Sequence, residues 1–234
     1  MENRYLHLFD SIQDLNNYIT NDYEEPFVAL TGGTRLDFNI PLIINNNGHE
    51  YVDLGLPSGA LWATCNIGST NPEDIGDYFA FGEVAPKEQY TQNNYIYYSS
   101  GTYTKYNSTD NLSKLEPQDD AANYNWGGDW YMPTRDQMME LYRNTTKTEI
   151  TVNGKSVYKF ESPNGNFIIF PKSGYNTQGY DYHGKSLLLW PSDQRAYNDS
   201  EWYVVYDLIS ATNFGKANGL NCRPVLEPIR AIIS

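Results

Sequence analysis

The chain has 234 residues, 16 Lys and Arg against 29 Asp and Glu, a formal net charge of -13 and an isoelectric point near 4.5. That length holds one large domain, or a domain with a small appendage, and is ample for a hydrophobic core. The acidic balance, with no basic cluster, argues against a nucleic-acid or anionic-membrane partner, and no apolar run approaches the roughly 18 residues of a membrane span.

Only 19% of residues are charged whereas 15% are aromatic, with 21 Tyr. The expected surface is uncharged, polar and Tyr-rich, which is adhesive chemistry because Tyr joins a rigid apolar ring to a hydrogen-bonding tip. The competing reading is that Tyr replaces Phe inside strand cores. Cys65 and Cys222 are too few and too distant for a disulfide framework or a zinc site, and both are expected to be buried thiols. The opening residues lack the basic and long apolar regions of a secretory signal, which implies a signal already removed or never used.

In chain order, Leu6, Phe9, Ile12, Leu15, Tyr18 and Ile19 recur at helical spacing and predict an amphipathic helix to about Thr20. Two short strands around Gly32-Gly33 predict a hairpin, and Pro41 with Asn45-Asn46-Asn47-Gly48 predicts a break near residue 48. Residues 1–48 then form an attachment segment and residues 49–234 the main domain. Within that domain Tyr51 to Leu54, Ala60 to Cys65 and Tyr78 to Phe81 read as strands. The Tyr, Asn, Ser and Thr stretch from Gln89 to Leu112 reads as a long irregular loop and a candidate recognition surface. Asp119 and Asp120 before Ala121-Ala122 predict a helix cap. Thr134 and Gln137 predict a capping box for a helix that buries Met138, Leu141 and Tyr142 and stops at Asn144. Glu149 to Val152 and Ser156 to Phe160 flank Asn153-Gly154, a hairpin signal, and Asn166 to Phe170 is a further strand.

The segment from Gly184 to Val225 is the stretch the rest of the chain is built to support. Glu201 to Asp207 alternates as a strand, with Trp202, Val204 and Tyr206 able to face a core while Tyr203, Val205 and Asp207 face outward. Asp193 to Ser200 and Ser210 to Gly219 have loop composition. The fold class expected is α+β, mostly antiparallel strands with one or two helices.

Five ordered motifs carry a family resemblance: Y-V-D-L-G-L-P-S-G-A-L-W-A-T-C-N-I-G (51 to 68), G-D-Y-F-A-F-G-E (76 to 83), L-E-P-Q-D-D-A-A (115 to 122), W-G-G-D-W-Y-M-P-T (126 to 134) and N-C-R-P-V (221 to 225). Over about three quarters of the chain they resemble the Fibrobacter succinogenes major paralogous domain, common in gut Bacteroidetes and their phages. The resemblance implies a C-type-lectin-like fold related to formylglycine-generating enzymes, whose helix-entry motif looks like Tyr131-Met132-Pro133-Thr134. It also extends to the variable proteins of diversity-generating retroelements, in which the rewritten residues lie between a W-S-S-S-like motif and a closing R-P-V. Here Trp190-Pro191-Ser192-Asp193 and Arg223-Pro224-Val225 occupy those places, with departures at Pro191 and at Leu187-Leu188-Leu189.

What the resemblance implies is a non-enzymatic receptor-binding module, displayed on a phage tail or virion and attached through residues 1–48. The alternatives are a secreted or cell-surface Bacteroidetes glycan-binding or adhesin subunit, and an enzyme of the formylglycine-generating type. The expected ligand-binding residues are Asp193, Arg195, Tyr197, Asn198, Tyr203, Val205, Asp207, Ser210, Asn213, Phe214 and Lys216. Tyr197, Tyr203 and Phe214 would be apolar anchors, and Asn198, Asp207, Asn213 and Lys216 would set hydrogen-bond specificity. Adhesive systems multiply weak contacts by avidity, which favours an oligomer or array. Against the enzyme, only Cys222 lies where those oxidases carry a reactive Cys pair, and His7, His49 and His183 share no metal or triad spacing. No cofactor is expected. Glu73-Asp74-Asp77 and Glu116-Asp119-Asp120 could each offer oxygens to a structural calcium, but the acid motif of calcium-dependent sugar binding is missing from its expected place.

Overall fold

The computed structural model describes residues 43–178, 180–181, 183–193, 201–206 and 210–227, with the backbone alone at 43–45, 180–181, 201–206 and 210–214. The expected N-terminal helix and the Gly32-Gly33 hairpin lie outside the described residues.

The described chain is α+β, with mostly antiparallel sheets and two α-helices. One sheet has the order β1 (Ile43–Asn46), β2 (His49–Asp53), β3 (Leu61–Ala63), β16 (Val225–Leu226). A second runs β14 (Ser210–Gly215), β13 (Glu201–Tyr206), β12 (Leu188–Leu189), β15 (Leu220–Asn221), β4 (Tyr78–Phe79), with β12 and β15 parallel. A meander joins β7 (Thr146–Val152), β8 (Lys155–Glu161) and β9 (Phe167–Pro171). Two short hairpins pair β5 (Tyr98–Ser99) with β6 (Thr102–Tyr103) and β10 (Asn176–Thr177) with β11 (Tyr180–Asp181). The helices are α1 (Ala121–Trp126) and α2 (Arg135–Asn144).

Strand alternation separates two larger cores, and a third, smaller cluster gathers Ala80, Tyr90, Tyr95 and Ala217. Tyr51, Leu61, Ala63, Leu188, Trp190 and Leu226 join Phe79, Phe81, Tyr106, Trp126, Trp130 and Leu220 in one. Val52, Trp62, Leu187, Leu189 and Val225 join Met138, Leu141, Phe160 and Phe170 in the other. Successive residues of β2, β3, β12 and β16 thus point into different cores, the period-two consequence of burying a strand on both faces.

Local chemistry sets both helix starts. Thr134 Oγ1 accepts from Gln137 N at 3.2 Å while Gln137 Oε1 accepts from Thr134 N at 2.8 Å, the reciprocal cap expected from their spacing. Asp120 caps α1, accepting from Ala122 N at 2.9 Å and Asn123 N at 3.1 Å, and also accepts from Met132 N, which ties the chain entering α2 to the start of α1. Asp119 takes no part in that cap.

Three readings change. The break at residue 48 is a hairpin turn: Asn47 and Gly48 have φ of 53° and 82°, and Asn46 pairs with His49. This is the same two-residue Asn-Gly geometry as Asn153-Gly154, φ 49° and 79°. The sheet therefore extends to the N-terminal side of that break, its described part reaching back to Ile43. Second, Ser210–Gly215 is a strand rather than a loop, because β13 lies antiparallel beside it and supplies partners for its backbone. Third, Cys222 is buried but Cys65 is only partly so.

The Asn47-Gly48 turn is held by Trp130 Nε1 donating to Asn46 O at 3.1 Å, Asn47 Nδ2 donating to Trp126 O, and His49 stacked on Trp126 at 3.7 Å between ring centroids. Shortening the chain to begin at His49 removes β1 and leaves the buried Trp130 N–H without an acceptor. The expected loss is roughly 1–3 kcal/mol relative to a chain beginning at Pro41. Denaturant melts of the two shortened chains measure it, and equal midpoints would restore the break at residue 48.

Candidate functional site

The two stretches with recognition composition, Gln89 to Leu112 and Ser210 to Gly219, meet at a groove of about 480 Å³. Its walls are the 90–93 turn, Tyr103 of β6, Thr177-Gln178 at the end of β10, and Gly215, Ala217 and Asn218 at and just after the end of β14.

Tyr90 is the floor. It is 1% exposed, its hydroxyl donates to Tyr78 O and accepts from Lys87 N at 3.0 Å, and burial pushes its pKa up to about 12. Gly219 lies flat against the ring: a Cβ there would sit 2.8 Å from it, so glycine is what lets the chain before β15 reach the loop. Tyr90 O accepts from Gln178 N at 2.9 Å, and Asn176 and Gly219 exchange two backbone hydrogen bonds at 2.9 and 2.8 Å. On the rim, Thr177 Oγ1 donates to Asn218 Oδ1 at 2.6 Å and Gln92 Nε2 donates to Tyr103 Oη at 3.1 Å. Gln178 is exposed, held with φ of 48°, and its carboxamide has no hydrogen-bond partner among the described residues.

The expected site residues fall into three groups. Arg195, Tyr197, Asn198 and Asp207 lie outside the described residues. For Tyr203, Val205, Ser210, Asn213 and Phe214 the backbone is described: Tyr203 is opposite Asn213, and β14 is the edge of its sheet among the described strands. Which way their side chains face lies outside the described residues. Asp193 and Lys216 are described in full. Asp193 Oδ1 accepts from Arg135 N at 2.7 Å, holding the segment after Trp190 to the start of α2, and burial raises its pKa.

Lys216 differs from expectation. It is fully buried, its ammonium donates to Tyr106 O at 2.5 Å and stands 5.6 Å from the Tyr103 ring centroid. It supports the groove from beneath and does not present a charge to solvent. The physical cause is that the four-carbon stem of lysine can run through apolar surroundings to reach a carbonyl.

Many of the tyrosines read as adhesive surface are interior. Tyr90, Tyr95 and Tyr106 of the long loop are 2% exposed or less, and Phe81, Tyr106, Tyr97 and Tyr95 form a chain of edge-to-face contacts 5.5 to 5.8 Å apart. Asp119 anchors this cluster. Its carboxylate accepts from Tyr106 Oη at 2.5 Å, Tyr97 Oη at 2.7 Å and Lys105 Nζ at 2.5 Å. Burial works to raise its pKa but is outweighed by these donors, which hold the carboxyl below its ordinary value. Burial, reinforced by the bond to Asp119, drives both tyrosines well up. No spacing rule pointed to this network; the one signal was an acid beside a Tyr-rich loop.

Five of the six acids in the two clusters are bonded to protein donors. Lys105 bridges Glu116 and Asp119, Asp120 faces backbone N–H groups, Asn153 donates to Glu73 at 2.6 Å, and Lys155 with Asn71 covers Asp74. Among the described residues no three His, Cys, Asp or Glu side chains gather where an ion could sit. In a second cleft of about 550 Å³, Lys155 pairs with Asp74, Lys172 with Glu149, and Glu73 accepts from Asn153.

Cys222 is fully buried and its thiol is pushed far up by burial; the partly buried Cys65 is also raised. No protein-family model, curated protein or solved structure matches the chain.

Proposed function

We propose that the protein is a receptor-binding module of C-type-lectin-like fold, borne on a phage tail or virion and using the β13–β14 edge and the adjoining groove as its contact surface. The observation that carries the reading is convergence. The strand pair between Trp190 and Arg223, which resembles the rewritten region of retroelement-diversified proteins, runs directly into a groove whose other walls come from the Tyr-rich loop and from Thr177-Gln178. Its frame is rigid on the inner side: Trp190 is 1% exposed with Nε1 donating to Phe79 O at 2.9 Å, and Arg223 is fully buried. A fixed frame beneath an edge strand suits a surface whose residues change while the fold persists.

The burial of the thiols speaks against the peptide-oxidising alternative. A nucleophilic Cys needs an accessible thiolate, whereas both thiols here are made harder to ionise by burial. Attachment to a larger assembly through residues upstream of β1, and presentation in several copies, complete the proposal. The test is adhesion of the purified full-length chain to a panel of gut Bacteroidetes cells, beside an oxidase assay with a Cys-containing peptide. Selective adhesion with no peptide oxidation is the expected result; oxygen-dependent conversion of the peptide would replace this reading by an enzymatic one.

A further inference from the structure

We infer that the groove over Tyr90 takes a neutral saccharide and does so without a bound cation. This rests on the receptor-binding reading and narrows its ligand class.

The described lining carries no exposed charge. Gln92, Gln178 and Asn218 present carboxamides, Thr177 a hydroxyl, and Tyr103 a half-buried ring. Two cations lie near the groove and both are engaged: Lys216 is fully buried below Tyr103, and Lys87, with its ammonium 5.4 Å from the Tyr90 ring centroid, pairs with Glu83. Among the described lining residues a phosphate or carboxylate ligand would therefore meet no unpaired counter-charge, and a cationic ligand no carboxylate. An apolar ligand would strip water from the amides without returning hydrogen bonds.

Sugar hydroxyls fit that lining. Each donates and accepts, as each carboxamide does through its NH₂ and C=O, so a ring of amides can satisfy a ring of hydroxyls in several pairings. The Tyr103 face offers an apolar platform for the C–H face of a pyranose. Volume agrees, since about 480 Å³ lies within the span of small-ligand sites. The rim is also held in advance by the Gln178–Tyr90 and Asn176–Gly219 backbone bonds, which lowers the ordering cost of binding.

The test places the full-length chain on an array of neutral oligosaccharides, acidic oligosaccharides and uncharged peptides in buffer containing EDTA. Neutral oligosaccharides should be retained. Gln178→Ala and Asn218→Ala should each weaken that binding about 3- to 10-fold, the loss expected for one uncharged hydrogen bond, with the thermal midpoint unchanged for Gln178→Ala and slightly lowered for Asn218→Ala, which also gives up the Thr177 hydrogen bond. Retention of acidic sugars or peptides alone, loss of neutral-sugar binding in EDTA, or binding indifferent to both substitutions would overturn the inference. The two readings fail separately. Cells that still hold the wild-type chain and both variants equally, with no neutral sugar bound, sink the saccharide and leave the receptor module standing; failure of the wild-type chain on every cell tested removes the module itself.

Discussion

Replacing Arg223 with Met should lower the thermal midpoint by about 10 °C or more. Arg223 is fully buried and pairs with no acid among the described residues. Its Nε donates to Asn66 Oδ1 at 2.7 Å and its Nη1 to the carbonyls of Thr64, Ala63 and Ile169 at 2.7, 3.1 and 3.2 Å. The guanidinium also lies 4.4 Å from the Phe170 ring centroid. Burial lowers its pKa to about 10, so it stays charged at neutral pH. Met fills comparable volume but donates nothing, leaving one side-chain and three backbone acceptors with a lost partner in a dry interior. At roughly 1–3 kcal/mol per buried group left wanting, partly relieved by relaxation, a cost of about 4 kcal/mol follows. Arg223→Lys tests the geometry, because a single ammonium cannot span acceptors that a planar fork reaches together. It should fall between Met and wild type; a Lys variant as stable as wild type would mean that charge alone is required.

Asp119→Asn is expected to cost roughly 3 kcal/mol at neutral pH, since hydrogen bonds to a charged acceptor each contribute about 1.5–3 kcal/mol and Lys105 keeps Glu116. The pH dependence separates this from simple repacking. Asp119 titrates below its ordinary value in the fold, so its contribution is present above the unfolded carboxylate pKa of about 3.9 and fades as pH falls through the lower folded value. Tyr97 and Tyr106 are raised, so their contribution is present below the unfolded tyrosine pKa of about 10 and fades as pH climbs toward the folded values. The gap between wild type and variant should thus be widest between these limits and close on both sides in urea melts. A gap constant from pH 3 to pH 11 would show that Asp119 acts by shape rather than charge.

The parts of this fold that were legible are those decided within a few residues. The Thr134–Gln137 box, the Asp120 cap and the Asn153-Gly154 turn each follow from the geometry of adjacent backbone and one side chain. The Asn47-Gly48 turn carried the same signal, but two further Asn before it resembled a linker. What was not legible depends on partners distant in sequence. Ser210–Gly215 has loop composition and is a strand only because β13 is beside it. Lys216 looks like a surface charge until the Tyr106 carbonyl, 110 residues away, is brought to it. Tyr suits a surface and a core equally, and Asp119 decides the matter for Tyr97 and Tyr106 by accepting both hydroxyls in the interior. The groove was out of reach for the same reason: its walls come from four separate segments, and only the folded chain sets Gly219 against Tyr90.

The central claim is a division of labour between a fixed frame and a changeable contact surface. The most direct measurement pairs thermal midpoint with cell binding for two sets of variants: Asn213→Ala, Gln178→Ala and Tyr203→Ala against Trp190→Ala and Arg223→Met. The account predicts that the first set moves the midpoint by no more than the equivalent of about 0.5 kcal/mol while changing the strength or choice of binding, and that the second set costs roughly 3–5 kcal/mol. Melting of the first set, or binding untouched by all three of its members, would contradict it.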